Sequence, residues 1–379
     1  MAGSPYDPSR APVAYGRRAV PQLFSELQQQ EAPRRLRALA SLCDLLRDPE
    51  RISCTVSGGF LEQLKVLLKD EDSIVRAKTC ELLHLLTAHR IGRQALLSSS
   101  FLPHLSELMD DSSSSCRRNV QRVLNRLTLM PAGAEALLTL VPKLMLKLRE
   151  EEEDVQVLLL STLSSCSCLD PLPALASDGV SLLLHKLSDS STDIRREAAA
   201  ALMALSVCED GMRQVCEKEV LPVLVNLLRD EDVEVQANAA GVIMYAAITN
   251  EGTNSHLDAF LSQQIPNSSC RVNVLVDSTS LIVGKQQCLG LDVIPILLSL
   301  VSQDGEEEKD KERKKALVMY SLRALTALAE APQGRCLLLE QLPLLGRRSE
   351  AAEEDQDIRR NAQNAVRVIT WTPCNTGDL

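Results

Sequence analysis

The sequence predicts an all-α solenoid built from repeated helical units of about 40 residues. The first observation is a recurring pattern, in which a small apolar residue after an acidic or Ser-rich loop opens an Ala/Leu-rich helix. That apolar residue, the marker position of each unit, occurs at Val75, Cys116, Val155, Ile194, Val235 and Ile358. The first five markers are separated by 41, 39, 39 and 41 residues, which indicates internal repeats.

Composition is the second observation. Aromatic residues make up 2% of the 379 residues, and Leu and Ala dominate the apolar part. Closely spaced helices that interdigitate aliphatic side chains fit this composition, and a β-sandwich does not. The formal net charge of −10 disfavours a nucleic-acid-binding protein, which needs a basic excess.

The unit from Gly211 to about Ile248 shows the helical pattern most clearly. A short helix is followed by a second helix with Pro222 in its first turn and by a third helix, which we expect Asp230 and Asp232 to cap. Three helices per unit are typical of armadillo repeats, which form a right-handed superhelix; two-helix HEAT repeats are the alternative. We expect positive backbone φ angles at the glycines between helices, namely Gly59, Gly92, Gly133, Gly179, Gly211 and Gly334.

Two stretches interrupt the repeats. Residues 1–19 are Pro-rich and predict an extended N-terminal arm, and residues 258–290 predict a non-repeat insertion or, less favoured, a degenerate unit. Within the latter, the sequence RVNVLVDSTSLIV (271–283) alternates as a strand does. The repeats therefore occupy residues 20–257 and 291–372, and residues 373–379 form a tail.

Catalytic, cofactor and metal motifs are missing from the sequence. The five His residues lie in different units, and there is no phosphate-binding loop and no nucleophile elbow. The twelve Cys residues are scattered without a CxxC pair, so we expect free thiols in a reducing compartment. No apolar run approaches the ~20 residues of a membrane span. These observations predict a soluble, intracellular, non-enzymatic protein without a small-molecule substrate.

The third helices offer a partner-binding surface instead. Peptide-binding armadillo proteins of the nuclear-import class carry Trp and Asn ladders at positions six and ten after the marker, and this chain lacks them. Arg122 and Arg126 stand at positions six and ten of one third helix and form a basic spot with the nearby Arg117 and Arg118, and small residues occupy these positions in later units. The candidate partner-binding residues are Arg117, Arg118, Arg122, Arg126, Ser161, Ala200, Gly241, Tyr245 and Trp371. We expect Arg122 and Arg126 to pair with neighbouring acids of the chain; the less favoured hypothesis is that an acidic segment of a partner lies over the arginines.

Four stretches carry a family resemblance: APVAYGRRAVPQL, ALSVCEDGMRQVCEKEVLPVLVNLLRDEDVEVQANAAG, ALAEAPQGR and IRRNAQNAVRVITWTP. Together they resemble the radial spoke head protein 14 family across nearly the whole chain. The resemblance implies an armadillo-repeat subunit of the radial spokes, located in the cytoskeletal axoneme of motile cilia and sperm flagella. It also implies that the partners are other radial spoke subunits, with no membrane and no nucleic acid involved.

Two other functions remain open on the sequence. One is a soluble cytoplasmic adaptor that uses the same surface for a signalling partner. The other is the regulatory solenoid of an enzyme complex, such as a phosphatase holoenzyme.

Overall fold

The computed structural model of the protein describes residues 18–248, 278–302, 308–351 and 355–371, and these ranges contain helices and turns without a strand. The side chains of 278–282 and 308–313 are not among those described. The chain divides into two compact units, one up to Cys166 and one from Ser167 onward. Among the helices of these ranges, none has the length and apolar character that crossing a bilayer requires.

The first unit begins with two helices and continues in triplets, each with a short first helix and a longer third helix. The opening pair is α1 (Ala19–Glu26) and α2 (Ala32–Leu45). The triplets are α3 (Pro49–Ser57), α4 (Leu61–Leu67) and α5 (Ser73–Leu86), then α6 (Arg90–Ser98), α7 (Leu102–Leu108) and α8 (Ser114–Leu127), then α9 (Pro131–Leu137), α10 (Val141–Lys147) and α11 (Glu153–Leu169). Helix α11 runs across the division between the units.

The second unit repeats the triplet. Its helices are α12 (Leu172–Ala176), α13 (Gly179–Leu187) and α14 (Thr192–Leu205), then α15 (Glu209–Glu217), α16 (Leu221–Leu227) and α17 (Val233–Ala247), then α18 (Ser278–Gly290), α19 (Val293–Ser302) and α20 (Glu308–Leu328), and finally α21 (Pro332–Leu339), α22 (Leu342–Glu350) and α23 (Gln356–Thr370). The predicted three-helix unit is therefore confirmed.

Local sequence explains where the helices begin. The Asp232 carboxylate accepts hydrogen bonds from the amides of Glu234 and Val235, both at 3.0 Å, and so caps α17 as expected. Asp230 accepts the amide of Asp232 and also pairs with Arg195. Pro222 lies in the first turn of α16, where the missing N–H leaves no helical hydrogen bond unmade.

Each of four third helices carries an arginine that ties one repeat to the next. In α5, Arg76 Nη1 donates to the carbonyl oxygens of Asp70 at 2.8 Å and Glu71 at 3.1 Å, in the loop before its own helix. Its Nε donates at 2.6 Å to Asp111, which lies in the corresponding loop of the next repeat. We call this arrangement the inter-repeat arginine staple. Its four pairs are Arg35–Asp70, Arg76–Asp111, Arg117–Glu151 and Arg195–Asp230, at N–O distances of 2.9, 2.6, 2.7 and 2.8 Å.

The glycines between helices have a different role from the predicted one. Of the six, only Gly59 has a positive φ, at 72°. Gly211 lies inside α15, and a Cβ there would collide with the carbonyl oxygen of Leu205 at the end of α14. Gly92, Gly133 and Gly334 meet the carbonyls of Leu86, Leu127 and Leu328 in the same way. Close approach of two helices, and not turn geometry, requires glycine at these positions.

Part of the predicted insertion is a regular helix. Ser278–Val283, expected to be strand-like, forms the start of α18, so that expectation is wrong for these residues. Helix α18 packs as the first helix of a triplet: a Cβ at Gly284 would lie 2.6 Å from the carbonyl oxygen of Ala246, and Lys285 pairs with Glu330 at 2.7 Å. The sequence hides this helix because its apolar residues do not form one stripe. Residues 249–277 lie outside the described residues, so an insertion there stays a prediction.

Two third helices escaped the marker pattern. Helix α2 holds Arg35 in the staple position, one residue after a charged marker, Arg34. Helix α20 has Leu317 at its marker position, 82 residues after Val235 and 41 before Ile358. The predicted N-terminal arm lies outside the described residues except for its last two: Arg18 is a turn residue and Ala19 begins α1.

Candidate protein-interaction surface

The third helices of the first unit pack side by side in chain order. Helix α2 contacts α5, and α5 contacts α8. Across the helix pairs, Asn119 Nδ2 donates to the carbonyl oxygen of Ala77 at 3.0 Å, and Asn125 Nδ2 donates to Thr162 Oγ1 at 3.3 Å. Because neighbouring helices share this register, residues six and ten after each marker come to lie on one side of the row.

Two of the four predicted arginines already have carboxylate partners. Arg117 belongs to the staple, with Glu151 at 2.7 Å, and the Glu151 side chain is only 5% exposed. Arg118 pairs with Glu152 at 3.1 Å and also with Asp154. These two arginines serve the packing of α8 against the loop before α11, and their positive charges are locally neutralised.

Arg122 and Arg126 lack carboxylate partners within the part of the chain that the structure describes. Arg122 is exposed, and its Nη1 meets the neutral amide oxygen of Asn119 at 3.3 Å. Arg126 is half-buried, and its Nη1 donates to the carbonyl oxygen of His84 at 2.8 Å, at the end of α5. The favoured expectation, in which neighbouring acids neutralise both arginines, is therefore not met among these residues.

A third arginine adds to this positive charge. Arg93, on α6, donates through Nη1 to the carbonyl oxygens of Thr87 at 2.9 Å and Ala88 at 3.1 Å, and it too has no carboxylate partner in the described ranges. Partial burial lowers the pKa of the Arg126 guanidinium, and the charges of Arg93 and Arg122 lower it further. We call Arg93, Arg122 and Arg126 the arginine cluster.

A half-buried histidine, His84, lies beside two arginines of the cluster. Burial lowers the pKa of His84 to about 4, and the charges of Arg126 and Arg122 contribute. At neutral pH the imidazole beside Arg122 and Arg126 is therefore uncharged. The sequence pattern missed both Arg93 and His84. Arg93 lies on a first helix, and the pattern considers third helices alone. His84 lies on the third helix α5, but at neither of the two positions, six and ten, that the pattern considers.

In the second unit the predicted small-residue floor is closed. Gly241 is buried, and the space of its missing side chain is taken by Met203, with Tyr320 just beyond. Tyr245 is only 8% exposed, and burial raises its pKa to about 12. Ala200 remains half-buried. At Gly241 and Tyr245 the helices pack against their own unit, so these two positions do not offer an open floor to a partner.

Ser161 and Trp371 are the remaining candidates. Ser161, in the first unit, is half-buried, and its carbonyl oxygen accepts a hydrogen bond from Ser165 Oγ at 3.0 Å. Trp371, in the second unit, follows α23 and is 58% exposed, with the Arg335 guanidinium 5.7 Å from its ring centre. This cation–π contact places the Arg335 guanidinium against one face of the Trp371 indole ring.

Side chains of the kinds that bind metals or act as nucleophiles also occur within the described ranges. No group of three or more His, Cys, Asp or Glu residues within the described ranges is arranged as a metal site. Burial raises the pKa of Cys43 and of Cys288 to about 12, so both stay protonated and weakly nucleophilic.

Comparisons with known proteins identify the type of repeat. Residues 213–245 match the family model described as armadillo/β-catenin-like repeat. An engineered protein of known crystal structure has a TM-score of 0.66 and 19% identity, over 93% of this chain and 89% of that one. A designed armadillo repeat protein has a TM-score of 0.56 and 20% identity, over 60% of this chain and 99% of that one. Another, computationally designed for modular peptide recognition, has the same values. The fold is an all-α solenoid of armadillo type.

Proposed function

We propose that this chain is a non-catalytic scaffold subunit of the axonemal radial spoke in motile cilia and sperm flagella, where it binds other spoke proteins. The fold supports the scaffold role, since an armadillo-type solenoid is suited to protein–protein interaction. The assignment to the radial spoke depends on the resemblance of the four quoted stretches to the radial spoke head protein 14 family.

The arrangement of the third helices supports a scaffold role. Successive third helices of the first unit present side chains on one side of a row, and the arginine cluster there is unneutralised within the described ranges. One similar designed protein was made for modular peptide recognition, which is consistent with a segment of a partner bound along such a row.

Extraction of motile cilia tests the proposal. After detergent removes the membrane, a spoke subunit stays with the axoneme and is released only at high salt, because it is held by many protein contacts. A tagged copy of the full chain, detected in the detergent-soluble, salt-released and pellet fractions, gives the answer. A known soluble ciliary matrix protein and a tubulin blot serve as controls.

Recovery of the chain in the detergent-soluble fraction would contradict the spoke assignment and favour a soluble adaptor. Phosphatase activity that copurifies with the tagged chain would favour the regulatory solenoid of an enzyme complex. Retention after detergent, with release in the same salt fraction as other spoke proteins, is the expected result.

A further inference from the structure

The arginine cluster carries positive charge that no carboxylate of the described residues neutralises. The whole chain carries a net charge of −10, and acids neutralise neighbouring arginines on the same helix. The loop before α11 alone supplies Glu151, Glu152 and Asp154 to Arg117 and Arg118. One and two turns farther along α8, the partners of Arg122 and Arg126 among the described residues are an amide oxygen and a backbone carbonyl oxygen.

Backbone carbonyls orient these guanidinium groups without neutralising them. His84, Thr87 and Ala88 belong to the C-terminal end of α5 and the loop after it, where the helix dipole contributes only a partial negative charge. Arg126 and Arg93 are therefore fixed in position while keeping most of their charge. A preorganised guanidinium loses little conformational entropy when it binds a carboxylate.

The neighbouring third helices limit where negative charge fits. On α5, position six is Glu81, which pairs with Lys78 at 2.9 Å. On α11, positions six and ten are the neutral residues Ser161 and Ser165. Negative groups are thus favoured over α8 alone, and a partner needs only a short acidic segment.

We propose that the arginine cluster binds a short carboxylate-rich segment of a partner protein, with side-chain carboxylates on Arg122 and Arg126. Residues four apart on a helix have Cβ atoms about 5–6 Å apart. Alternate residues of an extended chain are about 6.6 Å apart, at about 3.3 Å per residue. Two acidic residues separated by one residue therefore match the two arginines. This inference rests on the proposed scaffold function and names the chemistry of one partner.

Binding of a fluorescent peptide in which glutamate alternates with glycine tests the inference on the full-length chain. We expect binding that weakens as salt is raised, because the contacts are between charges near the surface. The same peptide with glutamine in place of glutamate should not bind. Arg122→Gln should weaken binding of the glutamate peptide about tenfold, as the loss of a charge-assisted contact does.

Arg118→Gln is the matched control, with the same charge change on the same helix at an arginine that already has acidic partners. We expect it to change the affinity less than about twofold, since Arg118 is not available to the peptide. Equal weakening by Arg118→Gln and Arg122→Gln would overturn the inference, because binding would then follow net charge alone. No binding to the unaltered chain would overturn it as well.

A charge swap guards against variants that merely fail to fold. Arg122→Glu should lose the glutamate peptide and gain affinity for a peptide in which lysine alternates with glycine, an outcome that unfolding does not produce. Binding of a phosphoserine peptide or of anionic vesicles without binding of the glutamate peptide would also overturn the inference. The two proposals can fail separately. Retention of the Arg122→Gln chain in demembranated axonemes would support the proposed scaffold function, whereas the peptide measurements test the acidic-segment inference alone.

Discussion

At the residue scale, the arginine staple and the arginine cluster use the same residue type in opposite ways. Arg76 has a buried carboxylate partner, Asp111, whose side chain is only 3% exposed. Arg122, on the next third helix, is exposed, and its partner among the described residues is a neutral amide. The number of arginines on a helix therefore does not predict which of them pair with an acid; for Arg76, a buried acid in the loop of the next repeat provides the pairing.

Removing the staple arginine of α5 should destabilise the protein strongly. Arg76→Ala leaves the Asp111 carboxylate buried without its cation, which costs on the order of 2–4 kcal/mol. Urea denaturation followed by circular dichroism measures the change. Arg118→Ala is the comparison, since its partners Glu152 and Asp154 are more than half exposed, and it should cost less than about 1 kcal/mol. Equal losses in the two variants would show that the staple does not act as described.

Individual residues also explain which third helices and which arginine partners the sequence could predict. The marker pattern located six third helices correctly, because the apolar residue at that position faces the core in each of these six units. The pattern missed α2, because the residue at its marker position is the charged Arg34. It also missed α20, because its marker Leu317 lies 82 residues after the preceding marker, Val235. The candidate arginines were found as a group of four. Among the described residues, two of them have carboxylate partners and two do not, and the partner acids lie 34 to 36 residues away in the chain. Local sequence could not predict this division.

At the element scale, the first helix of each repeat approaches the end of the preceding third helix through glycine. At Gly211, as at Gly133, the third residue of a first helix has no space for a Cβ against a carbonyl oxygen. The sequence marked these glycines correctly as significant, but assigned them to turns. Only the packing of α15 on α14 shows the reason.

Alanine at Gly211 should therefore push α15 away from α14. We expect Gly211→Ala to destabilise the protein by about 1–3 kcal/mol, as overpacking does, even though alanine favours the helix itself. Gly346→Ala is the control, because Gly346 also lies within a helix, α22, and has no atom within 4 Å of an added Cβ. That variant should be stabilised by about 0.5 kcal/mol. Thermal melts of both variants test the contrast, and an unaffected Gly211→Ala protein would contradict it.

At the scale of the whole molecule, staples recur in both compact units and make stability depend on acidic residues. Burial raises the pKa of Asp111, but hydrogen bonds from Arg76 and the amide of Ser113 outweigh it, and the pKa lies below the ordinary 3.8. Asp230 in the second unit behaves in the same way with Arg195. Since the folded-state pKa is lowered, each carboxylate contributes stability above its unfolded-state pKa, and that contribution is lost as the pH falls through the folded-state value.

The protein should therefore lose stability as the pH falls below about 4. The urea midpoint, measured between neutral and acidic pH, should stay level down to that point and then fall. A combined Asp111→Asn and Asp230→Asn variant should be less stable at neutral pH and should show a shallower decline in acid. A decline equally steep in the variant would mean that other carboxylates control acid unfolding.

The central claim is that a row of stacked third helices holds partner proteins in the radial spoke. A density map of the radial spoke in intact motile axonemes tests it most directly. The claim predicts stacked three-helix units of this sequence inside the spoke, with density of another subunit against Arg122 and Arg126 on α8. A well-resolved spoke in which no density fits these helical units would contradict it.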